Sequence, residues 1–434
     1  MREVKVGIIG LGNVGGGALS ILTQNRAQIE QKLGFPLTVA AVSSRTAKSK
    51  TLPPDLDAVL VTEDWREVVA HPGVEVVAEL VGGTGVAREI VEAAIAAGKA
   101  VVTANKELMG LDGVALGRAA AEKGVPLAME ASVCGGIPIH AVLKEGICGD
   151  RVRGFFGILN GTSNYILTEI EKHGTAFDDV LKEAQRLGYA EADPTADIGG
   201  FDARSKLVLL ALLAFGTRIA PADVPTEGIQ RITPTDFRYA RQVNSTIRLI
   251  CGAEATGDGL FLSVRPSLIP LNTIMAGVQG AYNAVWVKGD FGADTFYYGR
   301  GAGPLPTGVA VVSDLMRAAR ELRGGSATRV SPFAFSGPVD ARPRAIGEQT
   351  RPWYLRFRVA DRPGIIAALS AILAEHEISI DAVLQLPDQD WRNLPFVITV
   401  EQTEESRMRR ALERMAGLDF MIEPPLALPM ESGL

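Results

Sequence analysis

Cysteine, histidine and aromatic residues are scarce in this chain, and each shortage removes a class of explanation. Three cysteines, Cys134, Cys148 and Cys251, cannot build a disulfide framework and suit a reducing compartment, so a cytoplasmic protein is expected. Four histidines, His71, His140, His173 and His376, show no metal-ligand spacing, which argues against zinc chemistry. Positive charge is in slight deficit. The 44 Lys+Arg against 50 Asp+Glu leave a net charge of −6 with no basic cluster, so nucleic acid is not an expected partner. Long apolar runs are also missing: the longest, 207–215, falls far short of the ~20 residues that span a membrane. Residues 1–10 alternate charge with valine and isoleucine before reaching glycines, which is a strand pattern rather than a leader. No membrane partner is expected.

Glycine is what the chain has in excess. With 47 glycines, 47% hydrophobic and only 6% aromatic residues, it reads as a folded α/β protein with many tight turns. Its 434 residues suggest about two to four domains at roughly 100–200 residues each. Short apolar strands at 4–9, 37–42, 74–80, 100–103 and 125–129 alternate with helical stretches running to about 32, at 86–97 and at 114–123. That alternation predicts parallel βαβ units, a doubly wound Rossmann-type sheet over 1–130. From 131 to 307 longer helices (163–173, 177–187, 201–215) mix with strands at 153–158 and 284–288, the α+β pattern of a second domain. A helix at about 308–323 is expected to return to the first domain, and 324–350, rich in Gly, Ser, Pro and Arg, reads as a linker. In 351–434, strands at 353–359, 378–386 and 396–401 and helices at 365–376 and 406–415 give the βαββα(β) order of a ferredoxin-like unit.

Gly10-Leu11-Gly12-Asn13-Val14-Gly15 follows the first strand and opens a helix. Its glycines permit a tight turn and close approach to a pyrophosphate, and the helix start offers N–H groups and a positive dipole end. The motif alone is also a plain glycine turn; its place in a βαβ series favours a dinucleotide. No acid ends the second strand, where NAD would want one for its ribose. Ser43-Ser44-Arg45-Thr46 stands there with Lys48 and Lys50 close by, so NADP is expected over NAD, Arg45 facing the 2′-phosphate; a solvated basic loop is the alternative. Thr103-Ala104-Asn105-Lys106 puts a lysine at the carboxyl edge of the sheet, where open α/β folds bind ligands.

The densest chemistry lies in Gly188-Tyr189-Ala190-Glu191-Ala192-Asp193-Pro194-Thr195-Ala196-Asp197 and the Asp202-Ala203-Arg204-Ser205-Lys206 that follows. Asp202 and Lys206, four apart, share a helix face. Carboxylates suit a bound ammonium, and a lysine suits a carbonyl being reduced. Cys134, in Glu130-Ala131-Ser132-Val133-Cys134-Gly135-Gly136-Ile137, is either a buried thiol or the nucleophile of an acylating dehydrogenase.

In order and spacing these motifs, with Asn160-Gly161-Thr162-Ser163-Asn164, resemble the homoserine dehydrogenase family over nearly the whole chain. The resemblance implies NAD(P)H-dependent reduction of L-aspartate 4-semialdehyde to L-homoserine, on the branch toward threonine, isoleucine and methionine. It implies Lys206 as acid/base with Lys106 opposite, and Glu191, Asp197, Asp202, Thr162 and Tyr189 around the substrate. On the cofactor it implies Gly10, Gly12, Asn13, Val14, Gly15, Thr84, Thr103, Lys106, Gly188 and Gly303. It implies a structural monovalent cation, Na or K, held by backbone carbonyls of Glu130, Val133, Gly135 and Ile137, and a homodimer or homotetramer. The last 80 or so residues resemble an ACT domain, with Asp361, Pro363 and Gly364 where such domains bind small amino acids, which makes threonine the expected effector. Two rivals remain at this point: another semialdehyde oxidoreductase working through Cys134, and a non-catalytic ACT-type sensor.

Overall fold

The computed structural model describes residues 2–47, 59–324, 333–335, 337–387, 390 and 392–431. Strand β1 (Val4–Ile9) is buried at nearly every position, as a central parallel strand covered on both faces must be. Around it run β2 (Leu37–Ser43), β3 (Leu60–Thr62), β4 (Val76–Glu79), β5 (Ala100–Thr103) and β6 (Leu127–Ala128), in the order β3-β2-β1-β4-β5-β6, with every pairing parallel. The strand order reverses between β1 and β4, so a crevice opens beyond their carboxyl ends.

Two helix boundaries differ from the sequence pattern. The first helix is broken at Asn25 into Asn13–Gln24 and Arg26–Leu33, because Asn25 leaves helical geometry (φ −108°, ψ 16°). The helix expected over 114–123 starts earlier, as Lys106–Lys123. Gly110 and Gly113 blur its apolar periodicity and lower its propensity, yet the Asn105 side chain caps it by accepting the Leu108 N–H at 3.0 Å. Lys106 is therefore the first residue of a helix, not the end of a strand.

The second sheet is antiparallel: β7 (Val152–Ile158), β9 (Ser245–Thr256), β10 (Gly259–Pro270), β11 (Tyr282–Gly289) and β12 (Asp294–Arg300), in the order β10-β9-β7-β11-β12. The β9–β10 hairpin escapes the sequence reading, although Thr256-Gly257-Asp258-Gly259 between apolar runs is a turn signature. Helix Phe201–Phe215 lies in the core beneath this sheet, bounded by Gly200 and Gly216 in the left-handed region. In the 324–350 segment, β13 (Val339–Asp340) runs parallel to β8 (Thr217–Arg218), and Arg218 Nε donates to Asp340 Oδ1 at 2.5 Å.

Helix Pro304–Gly324 returns to the first sheet and packs on Asn13–Gln24. The two backbones touch: a Cβ at Gly17 would lie 2.0 Å from the Pro304 carbonyl oxygen. Its Val311, Leu315 and Ala318 share a core with Val6, Ile8 and Leu19.

The third unit comprises β14 (Thr350–Val359), helix Ile365–Glu375, β15 (Ile380–Leu384), β16 (Leu394–Glu404), helix Glu405–Ala416 and β17 (Leu426–Pro429), in the sheet order β15-β16-β14-β17. Its outer face is fused to the second unit. Tyr354, Val397 and Leu428 belong to the central core, and Glu431 N–H donates to the Leu268 carbonyl at 2.9 Å. Buried ion pairs cross the junction, Arg265 to Glu405 at 2.6 Å and Arg356 to Asp236.

Candidate active site

At the carboxyl end of β1 the chain turns at Gly10 (φ +103°), where a Cβ would meet the Leu80 carbonyl oxygen at 2.5 Å. A Cβ at Gly15 would collide with the Gly10 carbonyl oxygen at 1.9 Å, so the helix packs tightly against the turn. A Cβ at Gly12 would meet no atom of the described residues within 4 Å, which leaves open space at the N-terminus of helix Asn13–Gln24. This is the concave, N–H-lined cradle that a dinucleotide pyrophosphate fits. Arg45 is exposed just past β2, and Lys48 and Lys50 lie outside the described residues.

Glu79, which the sequence reading passed over, organises the crevice. Fully buried at the end of β4, it accepts Thr103 Oγ1–H at 2.6 Å and Val81 N–H at 2.9 Å. Asn105 Nδ2 donates to the Gly83 carbonyl at 2.6 Å. Together these bonds tie the 80–84 loop to the Thr103–Lys106 turn. An acid closing the apolar run Val76-Val77-Ala78-Glu79 was the available signal.

Across the crevice, the start of helix Phe201–Phe215 carries the charged cluster. Asp202 Oδ2 accepts Lys206 Nζ at 2.7 Å, and Asp202 Oδ1 lies 3.3 Å from Lys106 Nζ. Asn160 Nδ2 bridges Asp197 Oδ1 at 2.7 Å and Asp202 Oδ2 at 2.8 Å, while its Oδ1 caps helix Gly161–His173. The Leu159 carbonyl accepts Lys206 Nζ at 2.8 Å. Burial alone would raise the Asp202 carboxyl, but the Lys206 and Lys106 ammonium groups and these hydrogen bonds hold it down at about 2. Burial opposes the Lys206 ammonium, yet the Asp202 charge and hydrogen bond leave its pKa raised. Asp197 is shifted upward by burial.

These groups line a cavity of about 480 Å³ with Ser132, Cys134, Gly188, Tyr189, Thr162 and Gly303. A larger hollow of about 680 Å³ lies behind Lys106, lined in part by Leu111, Val208 and Ile219; it contains neither Asp202 nor Lys206, so the chemistry converges in the smaller one. Cys134 borders the cavity, but burial pushes its thiol up to about 11, far from a ready thiolate. His140 is buried with both ring nitrogens unpartnered, and among the described residues no group of His, Cys, Asp or Glu could hold a metal ion.

Comparison with known proteins gives the same picture. The family model "Homoserine dehydrogenase" matches residues 138–316, "Homoserine dehydrogenase, NAD binding domain" matches 10–130, and "ACT domain" matches 353–417. The homoserine dehydrogenase of Neisseria gonorrhoeae is 40% identical over 436 residues, covering 100% of this chain and 99% of its own length. That of Pseudomonas aeruginosa is 38% identical over 441 residues, covering 99% of each. The chain belongs to the homoserine dehydrogenase family. It is an NAD(P)-dependent oxidoreductase with a nicotinamide-cofactor domain and a C-terminal ACT domain. The crystal structure of the homoserine dehydrogenase from Thiobacillus denitrificans superposes with a TM-score of 0.90 at 40% identity, covering 99% of this chain and 98% of that one.

Within this homoserine dehydrogenase frame the remaining sequence-predicted residues separate. Thr162 Oγ1 donates to the Tyr189 carbonyl at 2.7 Å, and the Tyr189 ring packs on Tyr165 with centroids 4.6 Å apart, so both are fixed at the cavity wall. Thr84 is exposed just ahead of helix Gly85–Ala96. Glu191 is not drawn into the cluster. It is exposed outside the cavity wall, and its backbone carbonyl accepts from Gln185 Nε2 at 3.1 Å. Asn160, quoted as part of a motif but given no role, is the residue that joins the two aspartates. In the turn after β6, Cys134 (φ +57°) and Gly135 (φ +42°) are both left-handed, Ile137 N–H donates to the Cys134 carbonyl at 2.9 Å, and the buried Glu130 carboxylate accepts His140 N–H at 2.9 Å. No described helix is long and apolar enough to cross a membrane.

Proposed function

We propose that this chain catalyses the reversible NADP(H)-linked reduction of L-aspartate 4-semialdehyde to L-homoserine, with Lys206 as the proton-transfer group. The observation that carries the reading is the fixing of Lys206 Nζ by Asp202 Oδ2 and the Leu159 carbonyl on the cavity wall. An ammonium has three N–H donors; two are committed, and the third is left for a carbonyl oxygen in the cavity. When bound, NADPH supplies the hydride to the aldehyde carbon. The oxygen gains negative charge as its double bond opens, and Lys206 gives it a proton while Lys106 adds positive field beside it. Asp197 and Asp202 favour the substrate ammonium; Glu191, outside the cavity wall, takes no part in holding it.

The open cradle at Gly12 and the exposed Arg45, with no acid at the end of β2, support NADP over NAD. The carbonyls of Glu130, Val133, Gly135 and Ile137 would hold a monovalent cation; the double left-handed turn supports this, and the ion would brace the cavity wall without touching the proton transfer. The purified protein is expected to reduce NADP with homoserine in Na⁺ or K⁺ buffers and to slow in tetramethylammonium. Arg45→Glu is expected to lower kcat/KM with NADP about tenfold or more while sparing NAD. Equal losses with both cofactors would remove Arg45 from 2′-phosphate recognition, and no homoserine-dependent reduction with either would overturn the proposed reaction.

For the ACT domain we propose amino-acid binding at Asp361–Gly364, threonine first, in a subunit pair built through the second sheet. Gly364 (φ +94°) starts helix Ile365–Glu375, so backbone N–H groups face the Asp361 turn. Phe291 and Tyr298, near the outer strand of the second sheet, are exposed and support pairing there. Threonine is expected to slow the reaction and raise the melting temperature of a species that light scattering reports as a dimer or tetramer. Unchanged rate and melting would remove the effector; a monomeric mass would remove the pairing.

A further inference from the structure

We propose that Asn283 is a positioning residue for Lys206, acting through the Leu159 carbonyl that the two side chains share. Asn283 stands on β11 and is 1% exposed. Its Nδ2 donates to the Leu159 carbonyl at 3.0 Å, the oxygen that accepts Lys206 Nζ at 2.8 Å. The second Nδ2 hydrogen reaches Cys134 Sγ at 3.8 Å. Asn283 Oδ1 is buried with no hydrogen-bond partner among the described residues. A polar side chain kept in that state costs stability, so its amide has a use that packing alone does not supply.

The amide is held in place. A Cβ at Gly301 would lie 2.1 Å from it, so the 301–303 loop can press on Asn283 only because residue 301 is glycine. Leu159 ends the β7 segment and precedes Asn160, the bridge between Asp197 and Asp202. Asn283 thus fixes from behind the oxygen that, with Asp202, sets the direction of the free Lys206 N–H.

The same bond limits how strongly Leu159 holds the ammonium, because the Asn283 N–H competes for that oxygen. Without Asn283 the carbonyl turns fully to Lys206, which then keeps its proton to higher pH and points it less well. The other groups facing Lys206 are Asp202 on its own helix, Asp197 in the turn before it, Cys134 after β6 and Cys251 on β9, with Lys106 reaching it through Asp202. Of these only Cys134 loses a contact in an Asn283 variant, the amide N–H at 3.8 Å.

This inference rests on Lys206 being the proton-transfer group, and the experiment separates the two. Homoserine oxidation with NADP is measured from about pH 7 to about pH 11 for the full chain, Asn283→Leu, Asn283→Asp and Lys206→Ala, with melting temperatures. In Asn283→Leu, kcat is expected to fall about tenfold with KM for NADP unchanged. Its alkaline rise is expected to move up by about 0.5–1 pH unit, and further in Asn283→Asp, whose carboxylate adds negative charge beside the ammonium. Folded variants with wild-type kcat and an unmoved pH profile would overturn the positioning role. A uniform loss of rate with no pH shift would also overturn it, leaving Asn283 a packing residue. If Asn283→Leu does not fold, the isosteric Asn283→Asp decides by the same shift. Activity surviving in Lys206→Ala would instead overturn the proton-transfer assignment itself.

Discussion

Lys206→Ala is expected to lower kcat for aldehyde reduction by about 10²–10⁴-fold, the range that a positioned general acid supplies. KM for NADPH should change little, since Lys206 lies on helix Phe201–Phe215, in a cavity whose lining does not include the Gly10–Gly15 cradle. Cys134→Ser is expected to keep most activity, because the thiol is pushed up to about 11 by burial. The reverse pair of results would move the chemistry to Cys134 and an acyl intermediate. Asp202→Asn gives a second view of the same group. The raised pKa of Lys206 depends on the Asp202 charge and hydrogen bond, set against burial. With Lys206 as the proposed proton-transfer group, aldehyde reduction should need the ammonium and run at neutral pH, whereas homoserine oxidation should need the free amine and rise only at alkaline pH. Removing the Asp202 charge lowers the Lys206 pKa, so the alkaline rise in oxidation should move to lower pH. A pH profile identical to wild type would exclude Lys206 as the titrating group.

Asp236→Ala should destabilise the protein by about 3–5 kcal/mol, the cost of leaving a buried charge without its partner. Asp236 is fully buried at the start of helix Pro234–Gln242, accepting Thr233 N–H and Oγ1–H at 2.8 Å each. It also pairs with Arg356, which is 3% exposed and belongs to the ACT domain. Alanine removes the Asp236 half of its capping box with Thr233 and leaves the buried guanidinium only the part-exposed Glu423, at 2.9 Å, as carboxylate partner. The melting temperature is expected to drop by roughly 3–6 °C. Replacing both partners with apolar residues of similar size, Asp236→Leu with Arg356→Met, should recover much of the loss, because the buried pair goes as a whole and the part-exposed Glu423 keeps Arg358 at 3.8 Å. A single variant melting with the wild type would mean that the ACT domain hinges on the second unit rather than being welded to it.

How legible this was depended on distance along the chain. Gly10–Gly15, Thr103–Lys106 and Asp202–Lys206 each fit within a few residues, so their spacing could be read against turn and helix geometry. Helix Phe201–Phe215 was placed at its true ends because glycines bracket an unbroken apolar run. The Lys106 helix was shortened in the reading because Gly110 and Gly113 interrupt its pattern, and its cap, a side-chain bond from Asn105, leaves little trace in composition. The β9–β10 hairpin was missed because strands buried on most positions lose the alternation that marks a half-exposed strand.

The sequence by itself determined the doubly wound first sheet, the three-unit order, the glycine cradle and the pairing of Asp202 with Lys206. Each follows from local periodicity or a short motif, where a few backbone angles set the outcome. Only the tertiary structure decided that Glu79 ties the crevice loops together, that Glu191 stays outside the cavity wall, and that Arg356 and Asp236 fuse the ACT domain to its neighbour. It also decided that Asn283, 124 residues from Leu159, reaches the carbonyl that holds Lys206. Such contacts join segments whose meeting depends on how whole layers pack, and no local pattern encodes that. The scarcity of cysteine and histidine argued against zinc and disulfide chemistry at the level of sequence, whereas the Leu159 oxygen shared by Lys206 and Asn283 exists only once the layers have packed.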